Sequence, residues 1–163
     1  MNNPTSSLLL SQHYQPNAFA TIRGGTSYPD IYGTANFFEN PFTKGLIIEV
    51  EVALLPSFTP DCPHFLGMHL HEKGDCRNNF ADTGMHYNPK KREHPCHAGD
   101  FPSLLNNDGY AYLCFYDSFL TLEDVIGRSL IIHAKRDDFT TQPAGDSGEK
   151  IACGVVQAYS DRT

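Results

Sequence analysis

The stretch LIIEVEVALL at residues 46–55 has the clearest structural pattern in the chain. Ile48, Val50 and Val52 fall on one side of an extended strand, whereas Glu49 and Glu51 fall on the other. Such alternation, with β-branched residues on one side, is typical of an antiparallel strand with one buried face and one face in water. The stretch therefore predicts a sheet that packs a core against one side.

Working outward, seven more segments have strand-like patterns and are separated by turn signals such as Asn107-Asp108-Gly109. No long helical period interrupts them, so an all-β sandwich or barrel is favoured. Residues 121–126 fit either a single helical turn or a loop. The eight predicted strands are 18–23, 31–38, 46–55, 65–71, 101–106, 110–116, 129–133 and 151–159.

Length and composition limit the class of protein. At 163 residues, the chain is long enough for one domain with its own core. A formal charge of −7 without a basic stripe argues against nucleic-acid binding, and no run approaches the ~20 apolar residues of a membrane span.

We expect an N-terminal arm at residues 1–17 and a folded domain at residues 18–163. No signal peptide is apparent, which favours the cytoplasm; export with the signal removed is the alternative.

Six of the eight histidines, together with one aspartate, form an ordered set. Histidine is the commonest metal-binding side chain, and seven such groups exceed the needs of one four-coordinate ion. The pattern therefore predicts two adjacent metals, or one metal with extra supporting groups. The set consists of His69, His71, His86, His94, His97, Asp100 and His133.

The spacing of these residues divides them into two kinds. His69 and His71 lie two apart on a predicted strand and project from the same face, which suits chelation; two surface histidines are the alternative. The residues from His86 to Asp100 lie in a loop and form a four-ligand set of the kind that zinc uses. Residues 73–99 and 135–150 are long segments without a strand pattern, and loops of this length are usually functional.

Five short segments, taken together and in order, have a distinctive pattern. The segments are Gly67-Met68-His69-Leu70-His71-Glu72, Gly84-Met85-His86-Tyr87-Asn88-Pro89, His97-Ala98-Gly99-Asp100, Gly127-Arg128 followed by Ile132-His133, and Ala152-Cys153-Gly154-Val155. They resemble, in the same order, segments of the copper/zinc superoxide dismutases, and the likeness covers roughly residues 18–158. The resemblance implies an eight-stranded antiparallel Greek-key barrel or sandwich, immunoglobulin-like in architecture, with two long functional loops.

The resemblance also implies a site and an activity. One copper and one zinc per subunit would convert superoxide anion to O₂ and hydrogen peroxide, with His86 bridging the metals and taking part in proton transfer. Asp137 matches a carboxylate that links ligands of the two metals. The implied copper ligands are His69, His71, His86 and His133, and the implied zinc ligands are His86, His94, His97 and Asp100.

The resemblance assigns two of the five cysteines. Cys76 and Cys153 match the family's disulfide, which argues for an oxidising compartment, although the family can keep this bond in the cytosol. Cys62, Cys96 and Cys114 have no counterpart. Cys96 could be an additional metal ligand, pair with Cys62, or remain a thiol.

The chain departs from the family near the implied copper. Lys150 stands where the family usually has an arginine that guides superoxide, so we expect slower turnover. Two clusters of basic residues could add positive potential near the path by which superoxide reaches the implied copper: Lys135 with Arg136, and Lys90-Lys91-Arg92. The alternative function is a weakly active or non-catalytic relative that buffers or delivers metal. A zinc hydrolase is a third hypothesis, but the sequence shows no nucleophile and base beside an open three-ligand zinc site.

One further surface is a candidate subunit contact. Tyr112, Cys114 and Tyr116 alternate on one face of a predicted strand, and Ala111, Leu113 and Phe115 take the other. Two apolar faces on one strand are consistent with a subunit contact in a homodimer.

Overall fold

The computed structural model describes residue 10 and residues 13–56 and 64–160. These form nine strands, one short α-helix, α1 (Leu122–Val125), and a 3₁₀ segment at Asn78–Thr83. The strands are β1 (Ala18–Gly24), β2 (Tyr32–Glu39), β3 (Leu46–Ala53), β4 (His64–Leu66), β5 (Met68–His71), β6 (Leu104–Asn106), β7 (Tyr110–Asp117), β8 (Ser129–His133) and β9 (Lys150–Ala158).

Seven strands form one antiparallel sheet in the order β5-β8-β9-β1-β2-β3-β7, and β4 pairs with β6 separately. Ile48 lies opposite Phe37 on one side and opposite Phe115 on the other. Ile48, Val50 and Val52 are fully buried in a core that takes side chains from both ends of the curled sheet. The predicted all-β antiparallel fold is confirmed.

The outer face of β3 is less open to water than its alternation predicts. Glu49 is only 1% exposed and accepts a hydrogen bond from the Tyr112 hydroxyl at 3.2 Å. The backbone N–H of Leu10 also donates to the Glu49 carboxylate, so part of the N-terminal region covers this face.

The prediction of one strand over residues 65–71 was wrong, because Gly67 divides it into β4 and β5. The Gly67 N–H donates to Lys135 O at 2.7 Å, and its carbonyl accepts from the His133 N–H at 2.8 Å. A Cβ at this position would lie 2.8 Å from Ser147 Oγ. The chain therefore changes partner strands at a residue that has no side chain.

One other predicted strand is shorter than expected, and the structure decides between the two alternatives for residues 121–126. The strand predicted at 101–106 is limited to Leu104–Asn106, and residues 121–126 contain a single helical turn. Thr121 and Asp124 form a capping box at its start, in which Asp124 accepts from both the backbone N–H and the hydroxyl of Thr121.

Most of the predicted arm at residues 1–17 lies outside the described residues, as do residues 57–63 and 161–163. The proposed division at residue 18 therefore stays a prediction. Within the described ranges, no helix has the length and apolar character needed to cross a membrane.

Candidate metal centre

Strands β5 and β8 bring three histidines together. His69 and His71 project from the same face of β5, which pairs with β8. His133 ends β8 at an irregularity in the register between Ile132 and His133. All three side chains are buried.

The free edge of β5 holds the first long loop, which comprises residues 72–103 between β5 and β6. The Tyr87 N–H donates to Leu70 O at 2.7 Å, and the Leu70 N–H donates to Gly99 O at 2.9 Å. These bonds place His86 opposite His71 and Asp100 opposite His69. A Cβ at Gly99 would collide with Leu70 O, so this close approach requires glycine.

The seven predicted ligands form two groups that share His86. In each group, one potential ligand atom from every residue lies within 4.8 Å of those of the others. The rings of His69 and His86 stack with their centroids 3.8 Å apart. The first group is His69, His71, His86 and His133, and the second is His86, His94, His97 and Asp100.

The first group presents four buried ring nitrogens that have no hydrogen-bond partner among the described residues: His69 Nδ1, His71 Nε2, His86 Nε2 and His133 Nε2. A buried polar atom without a partner costs free energy, so this convergence needs an explanation. A metal ion that accepts four imidazole lone pairs would explain the convergence, and imidazole ligands suit copper. We therefore call these four histidines the copper-type group.

The opposite nitrogens of these rings are all bonded. His71 Nδ1 lies 2.9 Å from Gly84 O, and His133 Nδ1 lies 3.2 Å from Gly148 O. Because a carbonyl only accepts, each Nδ1 carries the proton and leaves the Nε2 lone pair free. The backbone thus selects the tautomer that can bind a metal.

The second group is arranged around the Asp100 carboxylate. Asp100 Oδ1 lies 2.8 Å from His86 Nδ1 and 3.2 Å from His97 Nδ1, and Oδ2 lies 3.1 Å from His94 Nδ1. Three imidazoles and one carboxylate form a closed four-ligand set that fits zinc. We therefore call this second group the zinc-type group.

The Asp137 carboxylate contacts one histidine of each group. Its Oδ2 is 2.8 Å from His69 Nε2, and its Oδ1 is 2.9 Å from His94 Nε2. A Cβ at Gly145, where φ is +65°, would collide with Asp137 Oδ1 and lie 2.8 Å from His94 Nε2. Gly145 therefore leaves the space that this bridge occupies.

Burial keeps three histidines of the first group, His69, His71 and His133, in the neutral form. Burial, reinforced by neighbouring histidines, lowers the pKa of His69 and that of His71 to about 2, although a hydrogen bond to Gly84 opposes the shift at His71. Burial also lowers the pKa of His133 to about 4. Asp100 is buried too, which opposes ionisation, but hydrogen bonds from His86 and the His97 N–H lower its pKa. Neutral imidazoles and an ionised carboxylate are the forms that bind metals.

Lys150 lies beside the first group, opposite His133 in the β8–β9 pair. Its Nζ donates to Thr83 Oγ1 at 2.7 Å, Phe80 O at 3.2 Å and Gly84 O at 3.4 Å. Burial lowers the pKa of its ammonium group. The charge is near the copper-type group, but all three N–H donors are directed at protein oxygens.

The disulfide implied by the resemblance is present. Cys76 in the first long loop is bonded to Cys153 in β9, with Cα atoms 5.9 Å apart. Cys96 and Cys114 are exposed free thiols, and Cys96 does not belong to either ligand group. Cys62 lies outside the described residues.

The family model described as copper/zinc superoxide dismutase matches residues 31–156. The chain belongs to the copper/zinc superoxide dismutase family. Curated relatives include superoxide dismutase [Cu-Zn] of Cryptococcus neoformans var. grubii, 33% identical over 81% of this chain and 92% of the relative. Another is superoxide dismutase [Cu-Zn] of Deinococcus radiodurans, 33% identical over 90% of this chain and 87% of the relative.

A solved structure also resembles this family member. It is a SOD-like protein from Bacillus subtilis, which is 29% identical, with a TM-score of 0.72 over 83% of this chain and 95% of that chain. The similarity supports the β-barrel fold of the copper/zinc superoxide dismutases.

Several groups that position the ligands carried no signal in the sequence. The carbonyl groups of Gly84 and Gly148 orient His71 and His133, but every residue has a carbonyl group. Thr83 bonds Lys150 and lies 3.4 Å from His71 Nδ1, a contact that depends on the turn Asn78–Thr83. Only the folded chain reveals these partners.

Proposed function

We propose that this protein is a superoxide dismutase that uses one copper and one zinc per subunit. It would combine two superoxide anions and two protons to form O₂ and hydrogen peroxide. The observation that carries the proposal is the convergence, beside a closed zinc-type group, of four buried imidazole nitrogens for which the described part of the chain offers no hydrogen-bond partner. His86 contributes a nitrogen to each group, which supports its role as the bridging ligand.

Bound copper would supply one-electron redox chemistry, while zinc would have no redox role. The protein's part is to hold the ligands and handle protons. His86 Nε2 faces the other copper-type ligands and can hold a proton for delivery to the product, while His86 Nδ1 stays with the zinc-type group. Asp137 orients one histidine of each group, so both groups share a common support.

Lys150 is the proposed attractor for the anionic substrate. Because its ammonium N–H groups are bonded to Phe80, Thr83 and Gly84, it contributes mainly a fixed positive charge. Lysine also lacks the planar fork with which arginine holds an anion through two parallel bonds. This arrangement supports the expectation of slower turnover than an arginine would allow.

The bonding of Lys150 also favours one alternative, a weakly active relative that buffers or delivers copper and zinc. Such a protein would need the ligand groups without efficient capture of superoxide. The two functions differ in their rates of superoxide consumption, while their metal content is the same.

Metal analysis of protein purified without added metal, combined with a superoxide consumption assay, tests the proposal. We expect one copper and one zinc per chain after reconstitution, and superoxide consumption that requires copper. His71→Ala should abolish the activity, whereas His13→Ala, an exposed histidine outside both groups, should leave it unchanged. Both metals bound without activity would favour the alternative, and no copper binding would refute the proposal.

A further inference from the structure

The two long loops meet at His94, which belongs to the zinc-type group and is only 4% exposed. His94 lies in the first long loop, whereas its neighbours Asp137 and Gln142 lie in the second, between β8 and β9. Asp137 and Gln142, which lie 43 and 48 positions further along the chain, thus both contact His94.

The second long loop is itself firmly shaped. The Lys135 N–H donates to Ser147 O and the Asp138 N–H to Gly145 O, both at 2.9 Å. At the tip, the Asp138 carboxylate accepts from the N–H groups of Thr140 and Thr141 at 2.9 and 2.8 Å. Gln142 follows this capped turn directly, so its backbone has a defined position.

Gln142 binds both backbone polar groups of His94. The His94 N–H donates to Gln142 Oε1 at 3.0 Å, and Gln142 Nε2 donates to His94 O at 2.7 Å. Among the described residues, no other hydrogen bond reaches these two backbone groups. The side-chain amide of Gln142 therefore takes the place that a neighbouring strand would have, because it bonds the backbone N–H and C=O of a residue that lies outside any strand.

The two contacts hold His94 at opposite ends. Asp137 Oδ1 is 2.9 Å from His94 Nε2 and so sets the rotation of the ring. Gln142 sets the position of the backbone from which the ring projects. Together they aim His94 Nδ1 at the zinc-type group, where it lies 3.1 Å from Asp100 Oδ2.

We infer that Gln142 is a positioning residue for the zinc site, acting through the backbone of His94. The inference rests on the proposed zinc site and adds a residue of the second long loop to its support. A side-chain amide is required because the site needs one acceptor and one donor at fixed positions. Glutamate would keep the acceptor but would place a second oxygen against His94 O.

The experiment measures Zn²⁺ affinity of the full-length protein by competition with a chelator, and the visible spectrum after loading with Co²⁺. We expect Gln142→Ala and Gln142→Glu to weaken Zn²⁺ binding by about tenfold, the lower end of the effect of removing a partner of a metal ligand. The Co²⁺ bands should also shift, because they report ligand geometry. Gln157→Ala, which changes an exposed glutamine on β9, is the matched control.

The outcomes separate this inference from the proposed function. Wild-type affinity and an unaltered Co²⁺ spectrum in both Gln142 variants would overturn the inference and leave the zinc site intact. A loss of stability in the metal-free variants without a spectral change would also overturn it, since that result indicates a purely structural role. Failure of the wild-type protein to bind either ion would overturn the inference and the proposed function together.

Discussion

At the scale of single residues, the two nitrogens of each imidazole have different partners. In His71 and His133, one nitrogen donates to a backbone carbonyl and the other has no partner among the described residues. In His69, a carboxylate takes the place of the carbonyl. The hydrogen bonds made by one nitrogen thus determine which nitrogen can bind a metal.

Lys150 leads to a prediction at the same scale. Lys150→Arg should raise kcat/KM for superoxide by several-fold to about tenfold, since arginine adds donors that can face the anion while it still bonds the loop. Lys150→Met should lower kcat/KM because the charge is lost. Pulse radiolysis at constant ionic strength measures both values.

Lys44→Met removes an exposed lysine that lies between β2 and β3, outside both long loops, and is the control for the loss of one charge. A Lys150→Arg variant with unchanged or lower kcat/KM would show that Lys150 does not replace the family arginine.

At the scale of elements, short strands support long loops. β5 has four residues, yet it carries two of the predicted ligands and its free edge bonds the first long loop at Tyr87 and Gly99. The same loop is bonded through Cys76 to β9, which carries Lys150. Hydrogen bonds to β5 and a covalent link to β9 therefore both hold the loop that carries the second group.

The disulfide should contribute strongly to stability. Cys76 and Cys153 are 77 positions apart, and closing a loop of this length is worth about 4–5 kcal/mol on the chain-entropy model. We expect the double variant Cys76→Ser, Cys153→Ser to lose about 2–5 kcal/mol of unfolding free energy in urea, measured without metal.

Cys114→Ser, which changes an exposed free thiol, should leave the free energy of unfolding nearly unchanged. Equal stability of the double variant and the wild-type protein would show that the bond does not constrain the unfolded chain.

At the scale of the whole molecule, net charge and local charge act in opposite directions on an anionic substrate. The formal charge of −7 repels superoxide, whereas Lys150 and the exposed Lys135 and Arg136 place positive charge on and beside the second long loop. The exposed run 90–92 adds positive charge on the first loop.

The dependence of rate on salt shows which of these dominates. We expect kcat/KM to fall by at least about twofold as ionic strength rises from 0.01 to 0.15 M, because the Debye length shrinks from about 30 to about 8 Å. Stopped-flow or pulse-radiolysis assays across this range test it. A rate that is flat would exclude steering, and one that rises would show that the net negative charge dominates.

Burial of the histidines predicts how the metal-free protein responds to acid. The pKa of His133 is lowered to about 4 and those of His69 and His71 to about 2, whereas in the unfolded chain each is near 6.5. Below about pH 6.5 the unfolded state therefore binds protons that the native state does not. The free energy of unfolding should fall as pH drops from about 6.5 to 4, by up to about 1.4 kcal/mol per pH unit for each histidine.

Urea unfolding of the metal-free protein at several pH values measures this slope. His13→Ala, which changes an exposed histidine outside both ligand groups, is the matched control. A free energy of unfolding that does not change over this range would contradict the predicted burial effect.

Two predictions concern the assembly and the location of the protein. The homodimer, with a subunit contact on the strand that carries Tyr112, Cys114 and Tyr116, and the cellular compartment stay predictions. Glu49 on the neighbouring strand is already covered in part by Leu10, so any partner would meet the N-terminal region there.

Much of the fold could be predicted because strand patterns are local. The limits of β8 were predicted correctly, and β1 and β3 differ from prediction by one or two residues at one end, since alternation and turn residues act over a few positions. The break at Gly67 was missed because it depends on contacts with residues 133, 135 and 147. Pairing partners far away in the chain leave no local periodic pattern.

The amino-acid sequence alone predicted the residue types of the two groups and their division, because imidazole and carboxylate chemistry is specific and the family spacing is distinctive. Folding is what leaves one nitrogen of each ring in the copper-type group without a partner among the described residues, bonds Lys150 to the first long loop, and brings Gln142 to His94. The physical reason is that these properties depend on backbone carbonyls and on side chains brought together from distant positions. A hydrogen bond forms only when folding sets its distance and angle.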